Sequence, residues 1–253
     1  MNVEGQAAVI TGGASGLGEA SARMLAASGA NVAILDLNEE RGGELAKELG
    51  GIFAPCDVTD ETSVQSALDA AKDAHSAARI LVNCAGIGSA SRVVGRNGPH
   101  DLGLFSKIIA INLIGTFNAT RLFAVDATQL DPLEDDERGV VIMTASVAAF
   151  DGQIGQAAYS ASKGGIHSMT LPMAREFASR GVRVCTIAPG VIKTPMMATL
   201  PEEAQISLGE NVPFPQRLGH ADEYASLAMH ILENRYLNGE TIRLDGSLRM
   251  TAK

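Results

Sequence analysis

Two kinds of apolar run alternate along this chain. Short runs, apolar almost throughout, occupy 7–11, 31–36, 52–57, 80–84, 139–144, 182–187 and 241–245. Between them, apolar positions recur at helical spacing over 16–28, 39–49, 60–77, 101–128, 159–180 and 221–233. Strands without a polar face, separated by helices, predict a parallel sheet covered on both sides. Seven of them predict an α/β chain: one Rossmann-type domain over residues 1–253, with a seven-stranded, mostly parallel sheet and helices on both faces. Gly29 and Gly50-Gly51 stop the first two helices, and Asp60 is the expected N-cap of the third. The acidic stretch Asp131 to Arg138 reads as a solvated connection. Residues 191–219 are proline-rich and show no clear period, which predicts a functional loop at the substrate.

Composition narrows the function. Hydrophobic residues make up 46% and charged residues 19%, enough for a sizeable core and too apolar for disorder. The 20 Lys and Arg against 29 Asp and Glu give a net charge of -9, which disfavours nucleic acid as a partner. Cys56, Cys84 and Cys185 are an odd number in strand-like contexts, so reduced thiols are expected. No stretch is expected to span a membrane, and the first residues lack the pattern of a targeting segment, so a cytoplasmic protein is expected. The five His show no metal-ligand spacing, and no metal is expected.

The first strand runs straight into Thr11-Gly-Gly-Ala-Ser-Gly-Leu-Gly18, with glycines at 12, 16 and 18 before a helix. Gly12 permits a tight turn. Gly16 and Gly18 let the helix N-terminus approach a pyrophosphate, whose charge is held by free N–H groups and the helix dipole. The spacing is not the usual G-x-G-x-x-G, and no Lys-Ser/Thr pair follows to make a P-loop. Asp36 ends the second strand, where a carboxylate accepts from adenosine ribose hydroxyls and repels a 2′-phosphate. Ser15, Leu37 and Asn38 supply no positive charge, so NAD is expected rather than NADP. The plainer alternative is that Asp36 caps the next helix.

Of three Tyr, only Tyr159 has a Lys four residues on, Lys163. On a helix the two share a face, and an ammonium beside a phenol is expected to lower its pKa, suiting it to exchange a proton with an alcohol or carbonyl oxygen. Ser146 follows the fifth strand, at the sheet edge where open α/β sheets bind ligands, and can hold the same oxygen.

Together with Asn83-Cys-Ala-Gly86, Asn112, Tyr159-Ser-Ala-Ser-Lys163 and Pro189-Gly190, these residues resemble the classical short-chain dehydrogenase/reductase family over essentially the whole chain. Longer strings, among them 145–150, 155–165 and 237–246, resemble the branch acting on 3-hydroxyacyl-CoA. The resemblance implies an NAD-dependent oxidoreductase that interconverts a secondary alcohol and a ketone. Tyr159 would be the general acid/base, Lys163 would bind ribose and tune it, Ser146 would orient the substrate oxygen, and Asn112 would hold a water linking Lys163 to solvent. It also implies that Gly12, Ser15, Gly16, Leu17, Gly18, Asp36, Asp57, Val58, Cys84, Ile192 and Thr194 line the cofactor site, with Asp57 and Val58 at adenine and Cys84 offering only its backbone. Gln153 and Gln156 would touch substrate. A homotetramer is implied, with helices 101–128 and 159–180 at one interface and the last strand at another. A 3-oxoacyl-carrier-protein reductase, a hydroxysteroid dehydrogenase and an NAD-bound scaffold in a protein complex stay open as alternatives. His167, one turn beyond Lys163, is expected to serve packing, and Arg243 and Asp245 a structural or subunit contact.

Overall fold

The seven apolar runs form the strands of one sheet: β1 (Ala7–Thr11), β2 (Asn31–Asp36), β3 (Ile52–Pro55), β4 (Ile80–Asn83), β5 (Gly139–Thr144), β6 (Val182–Pro189) and β7 (Thr241–Leu244). This is a computed structural model in which residues 1–96 and 98–252 are described, the side chain of Thr199 excepted. The strand order is β3-β2-β1-β4-β5-β6-β7, and every neighbouring pair is parallel. The central strands are buried along their whole length because helices cover both faces. On one face α1 (Gly16–Ala27), α2 (Glu39–Leu49) and α7 (Ala221–Glu233) bring Ala22, Leu25, Leu45, Ile231 and Leu232 onto Ile10, Ile34 and Ile142. On the other, α3 (Glu61–His75), α4 (Leu102–Ala127) and α5 (Ala157–Ala178) bring Val64, Ala67, Phe123 and Ile166 onto Val9, Leu81 and Val141.

Local signals set the helix ends. The Asp60 carboxylate accepts the Ser63 N–H at 2.8 Å, as its N-cap position predicts. Asn38, not Asp36, caps α2, accepting the Arg41 N–H at 3.0 Å. That leaves the Asp36 carboxylate for the glycine loop.

Three features depart from the sequence reading. The first is α4, whose most apolar stretch has a mean hydropathy of 1.5, so it is long and apolar enough to cross a membrane by length and composition; half of that stretch is buried inside the fold. The expectation that no segment reaches that length is corrected. Packing against β4, β5 and α3 accounts for the apolarity of the buried half. The second is a turn of helix inside the 191–219 segment, α6 (Glu202–Glu210). Pro201 and the acidic pair Glu202-Glu203 are good helix-start signals, but the turns that follow lack a steady apolar stripe. The third is a small antiparallel hairpin, Val94–Gly95 against Gly98–Pro99, between β4 and α4. Its strands are too short to leave a period.

Candidate active site

The order β2-β1-β4-β5 makes the β1/β4 boundary a topological switch point, where the following connections leave in opposite directions and open a crevice. The glycine loop rises from β1 into that crevice. Space, as much as conformation, dictates its glycines. A side chain at Gly12, whose φ is +63°, would stand 2.6 Å from the Ala85 nitrogen, and one at Gly18 would stand 2.1 Å from the Gly12 carbonyl oxygen. Gly16, at φ +55°, faces Thr194 and Pro195 of the loop after β6. Ser15 takes the N-cap position of α1 without a side-chain cap bond, so no side chain of the loop occupies the helix N-terminus. Asp36 accepts the Ala14 N–H through Oδ2 at 3.0 Å and the Asn38 N–H through Oδ1 at 3.0 Å, fixing a carboxylate beside the loop. A cradle that a Cβ would fill, an uncapped helix N-terminus and a carboxylate next to it fit a dinucleotide.

The other expected cofactor residues converge on this crevice or its flank. Asp57 accepts both the Thr59 N–H and hydroxyl through Oδ1, at 2.9 and 2.7 Å. Val58 is buried, and its carbonyl accepts from Asn118 at 3.0 Å. The Cys84 N–H is spent on the Thr11 carbonyl. Its thiol sits 3.7 Å from the Tyr224 and Thr144 hydroxyls, and burial pushes its pKa up, so it is no nucleophile. Ile192 bridges to Gly219, and the Thr194 hydroxyl accepts the Met197 N–H at 3.3 Å.

Ser146 starts the turn after β5, and its hydroxyl accepts the Ala148 N–H at 3.1 Å. The Ser146 side chain stands next to the phenol of Tyr159, in the first turn of α5. Lys163 is buried, with its amine 5.8 Å from the centre of the Tyr159 ring. Ser146, Tyr159 and Lys163 thus come together as their spacing suggested. The net lowering expected for the Tyr159 phenol is not what the structure gives. Burial pushes the phenol above its ordinary value, and the neighbouring Ser146 hydroxyl acts against this. The amine instead donates to the Thr144 carbonyl at 2.8 Å, and burial pulls its pKa down to about 8.

Asn112 lies in a π turn, Ala110–Ile114, set into α4. The widened turn faces its side chain to β4's exit. Its amide oxygen accepts the Ile87 N–H at 2.8 Å, and its amide nitrogen donates to the Ile87 carbonyl at 2.9 Å and to Ser162 at 3.1 Å. The side chain is therefore a clamp on the segment after β4.

Gln153 and Gln156 line a groove of about 700 Å³ together with Ser160 and with Arg92, Val93 and Val94. Their side chains are already engaged: Gln153 donates to the Thr251 carbonyl at 3.1 Å, and Gln156 accepts the Gln153 N–H at 3.0 Å. His167 packs at a tilt against the Phe150 ring, centroids 4.8 Å apart, and its Nδ1 lies 3.0 Å from the Thr241 hydroxyl. Thr144 and Tyr224, whose hydroxyls meet at 2.7 Å behind Lys163 and Cys84, escaped sequence reasoning, because nothing in spacing joins β5 to α7. Among the described residues no cluster of His, Cys, Asp or Glu is arranged for a metal.

The model of the short chain dehydrogenase family matches residues 6–205. The chain is a short-chain dehydrogenase/reductase. Within that family, the 3-hydroxyacyl-CoA dehydrogenase type-2 of Drosophila melanogaster is 51% identical over 252 residues, covering 98% of this chain and 99% of its own. The protein of the same name from Homo sapiens is 52% identical over 253 residues, covering 98% of this chain and 97% of its own. A crystal structure of 3-hydroxyacyl-CoA dehydrogenase type-2 from Mycobacterium avium superimposes with a TM-score of 0.92 at 46% identity, covering 98% of both chains. Membership makes this short-chain dehydrogenase/reductase an oxidoreductase working with a nicotinamide cofactor and a small-molecule substrate.

The burial of Lys163 has a measurable consequence. Its folded pKa lies below its unfolded value of 10.5, so the fold binds that proton more weakly. The cost to stability is complete below about pH 8 and is recovered as pH rises towards 10.5. Lys163→Met abolishes that slope. The urea-unfolding stability of the variant minus that of the parent should fall by about 3 kcal/mol between pH 7.5 and 10.5. Taking the difference cancels the opposite alkaline slope of the buried cysteines. A difference independent of pH would refute the assignment.

Proposed function

We propose that this enzyme is an NAD-dependent dehydrogenase that interconverts 3-hydroxyacyl-CoA and 3-oxoacyl-CoA. The observation that carries the reading is the Ser146–Tyr159 pair beside Lys163, with a groove lined by the intervening residues 152–157 and by Arg92 to Val94, in a chain half-identical to enzymes of that name. Gly12, Ser15, Gly16, Leu17 and Gly18 would hold the pyrophosphate, Asp36 the adenosine ribose, Asp57 and Val58 the adenine, and Cys84, Ile192 and Thr194 the nicotinamide half. The nicotinamide supplies the hydride acceptor when bound. Tyr159 removes the alcohol proton during oxidation and returns it during reduction, and Ser146 orients the oxygen that bears it. Lys163 holds the nicotinamide ribose and steadies the phenolate. Asn112 secures the segment after β4 through its side chain, and we assign the water linking Lys163 to solvent to its neighbourhood. Val93, Val94 and Ile154 offer an acyl chain apolar contact along the groove, and Arg92, which also lines it, offers counter-charge to a phosphorylated carrier.

The test is NADH formation with 3-hydroxyacyl-CoA of increasing length, with NAD or NADP supplied. NAD should be preferred, because the Asp36 carboxylate repels a 2′-phosphate. In Asp36→Ala the KM for NAD should rise about 10–100-fold and the preference should narrow. Turnover with NADP alone would overturn the cofactor assignment, and would point to a reductase running the other way.

We also propose that the enzyme is a homotetramer. Leu102, Ile114, Phe117 and Val125 of α4 and Leu171 of α5 are exposed apolar side chains, the kind of surface a second copy covers. Light scattering should give four times the 26.3 kDa chain mass. A monomer at micromolar concentration would refute this.

A further inference from the structure

The residues after β7 fold back onto the loop between the two catalytic hydroxyls. The Ile154 N–H donates to the Ala252 carbonyl at 3.0 Å, and the Gln153 amide donates to the Thr251 carbonyl at 3.1 Å. Arg243 gathers the rest of this segment. Its guanidinium donates to Asp245 at 2.7 Å, to the Leu248 carbonyl at 2.9 Å and to Asp151, and it lies 5.1 Å over the Phe150 ring. Arg249 places a second cation on Asp245, whose carboxylate also accepts the Ser247 N–H at 3.0 Å.

The loop held in this way carries Gln153, Ile154, Gly155 and Gln156 along the groove. Its other side is tied by the Gly155 carbonyl to the Ser91 N–H at 2.8 Å, on the segment leading to Val93 and Val94. Across the groove, therefore, exposed Ile154 faces exposed Val93 and Val94, and the position of Ile154 is set by a bond from its own backbone to the returning segment.

We propose that residues 249–252, anchored through Arg243, are a positioning strap that fixes the width of the groove and so the length of acyl chain accepted. The inference rests on the reading of the site as one for acyl thioesters. The strap touches no reacting atom. It acts through residues 150–156, so its loss should alter binding of long substrates more than the chemical step.

Two variants test it. A chain terminated after Met250 loses both carbonyl acceptors, and Asp151→Asn weakens the Arg243 anchorage while leaving the strap in place. Rates are measured with NAD and either 3-hydroxybutyryl-CoA or 3-hydroxydecanoyl-CoA, alongside NADH affinity and hydrogen exchange of 150–156. The KM for the decanoyl substrate should change about 3–10-fold in the terminated chain, with Asp151→Asn in the same direction and smaller. The kcat for the butyryl substrate and the NADH affinity should hold within about twofold. Exchange at 150–156 should quicken, while 157–178 stays protected. Equal changes for both substrates, or unchanged exchange, would overturn the strap. If the intact enzyme turned over neither thioester, the acyl-CoA reading would fall, and exchange at Ile154, which needs no substrate, would still decide the strap.

Discussion

Tyr159→Phe is expected to lower kcat by about 10²–10⁴-fold, some 3–5 kcal/mol of transition-state stabilisation, while leaving NADH affinity close to that of the parent. The ring volume is kept and only the hydroxyl is removed. That hydroxyl lies next to Ser146 and beside Lys163, and is the proposed proton carrier of the site. Because burial keeps the phenol protonated near neutral pH, it is poised as a donor to a carbonyl oxygen, and carbonyl reduction should lose activity at neutral pH as steeply as alcohol oxidation does at higher pH. Steady-state rates in both directions, with fluorescence titration of NADH, make the measurement. A kcat within fivefold of the parent, with NADH still bound, would refute the acid/base role and favour a protein that only carries the dinucleotide as part of an assembly.

The largest effect on stability should come from a residue far from the chemistry. Arg183 on β6 is nearly buried and donates to Glu137 at 2.7 Å. Its remaining N–H groups reach the carbonyls of Ile231, Leu232 and Leu237 at 2.8, 3.0 and 2.7 Å, satisfying the C-terminal end of α7 and the turn after it. Glu137 is also buried, with the Met1 amino group 3.0 Å away as its other cationic neighbour. Arg183→Met keeps the bulk but strands a buried carboxylate and several carbonyls. The expected cost is about 3–5 kcal/mol, or roughly 10 °C in melting temperature for a domain of this size. Calorimetry is the check. Adding Glu137→Met should recover part of the loss, because the stranded charge is what costs most. A drop below about 2 °C would show that the pair is not a structural centre.

What could be read from the sequence, and what could not, follows from the range over which each feature is encoded. The strands of the sheet are legible because burial on both faces makes them apolar without alternation, as in Val140 to Met143. The glycine loop is legible because its glycines recur at short spacing between a strand and a helix, although the contacts that demand Gly12 and Gly16 come from the distant Ala85 and Thr194. Tyr159 and Lys163 announce themselves by sharing a helix face. By contrast, the downward pull on Lys163 comes from burial by the whole fold, which no i,i+4 spacing records. The clamp of Asn112 on Ile87 and the meeting of Thr144 with Tyr224 join distant segments. Gln153 sits where its position suggested, yet its amide goes to the Thr251 carbonyl, a main-chain acceptor that carries no side-chain signature. The apolarity of α4 misled in a different way, since one helix here serves both the core and an exposed face.

The strand order also bears on how the chain comes to be folded. The middle of the sheet pairs Ala8 with Ile80, and Ile80 with Val140. Such pairings can form only after long stretches of chain have been closed into loops, which makes refolding of parallel α/β proteins slow compared with helical bundles of similar size. While the polypeptide emerges from the ribosome, β1 can pair with β2 early, but its other edge waits for β4, whose own outer edge waits for β5. An apolar strand with one open edge is a template for aggregation during that interval. The buried pairing that shapes the crevice is thus also the one that leaves an apolar edge open longest in a newly made chain.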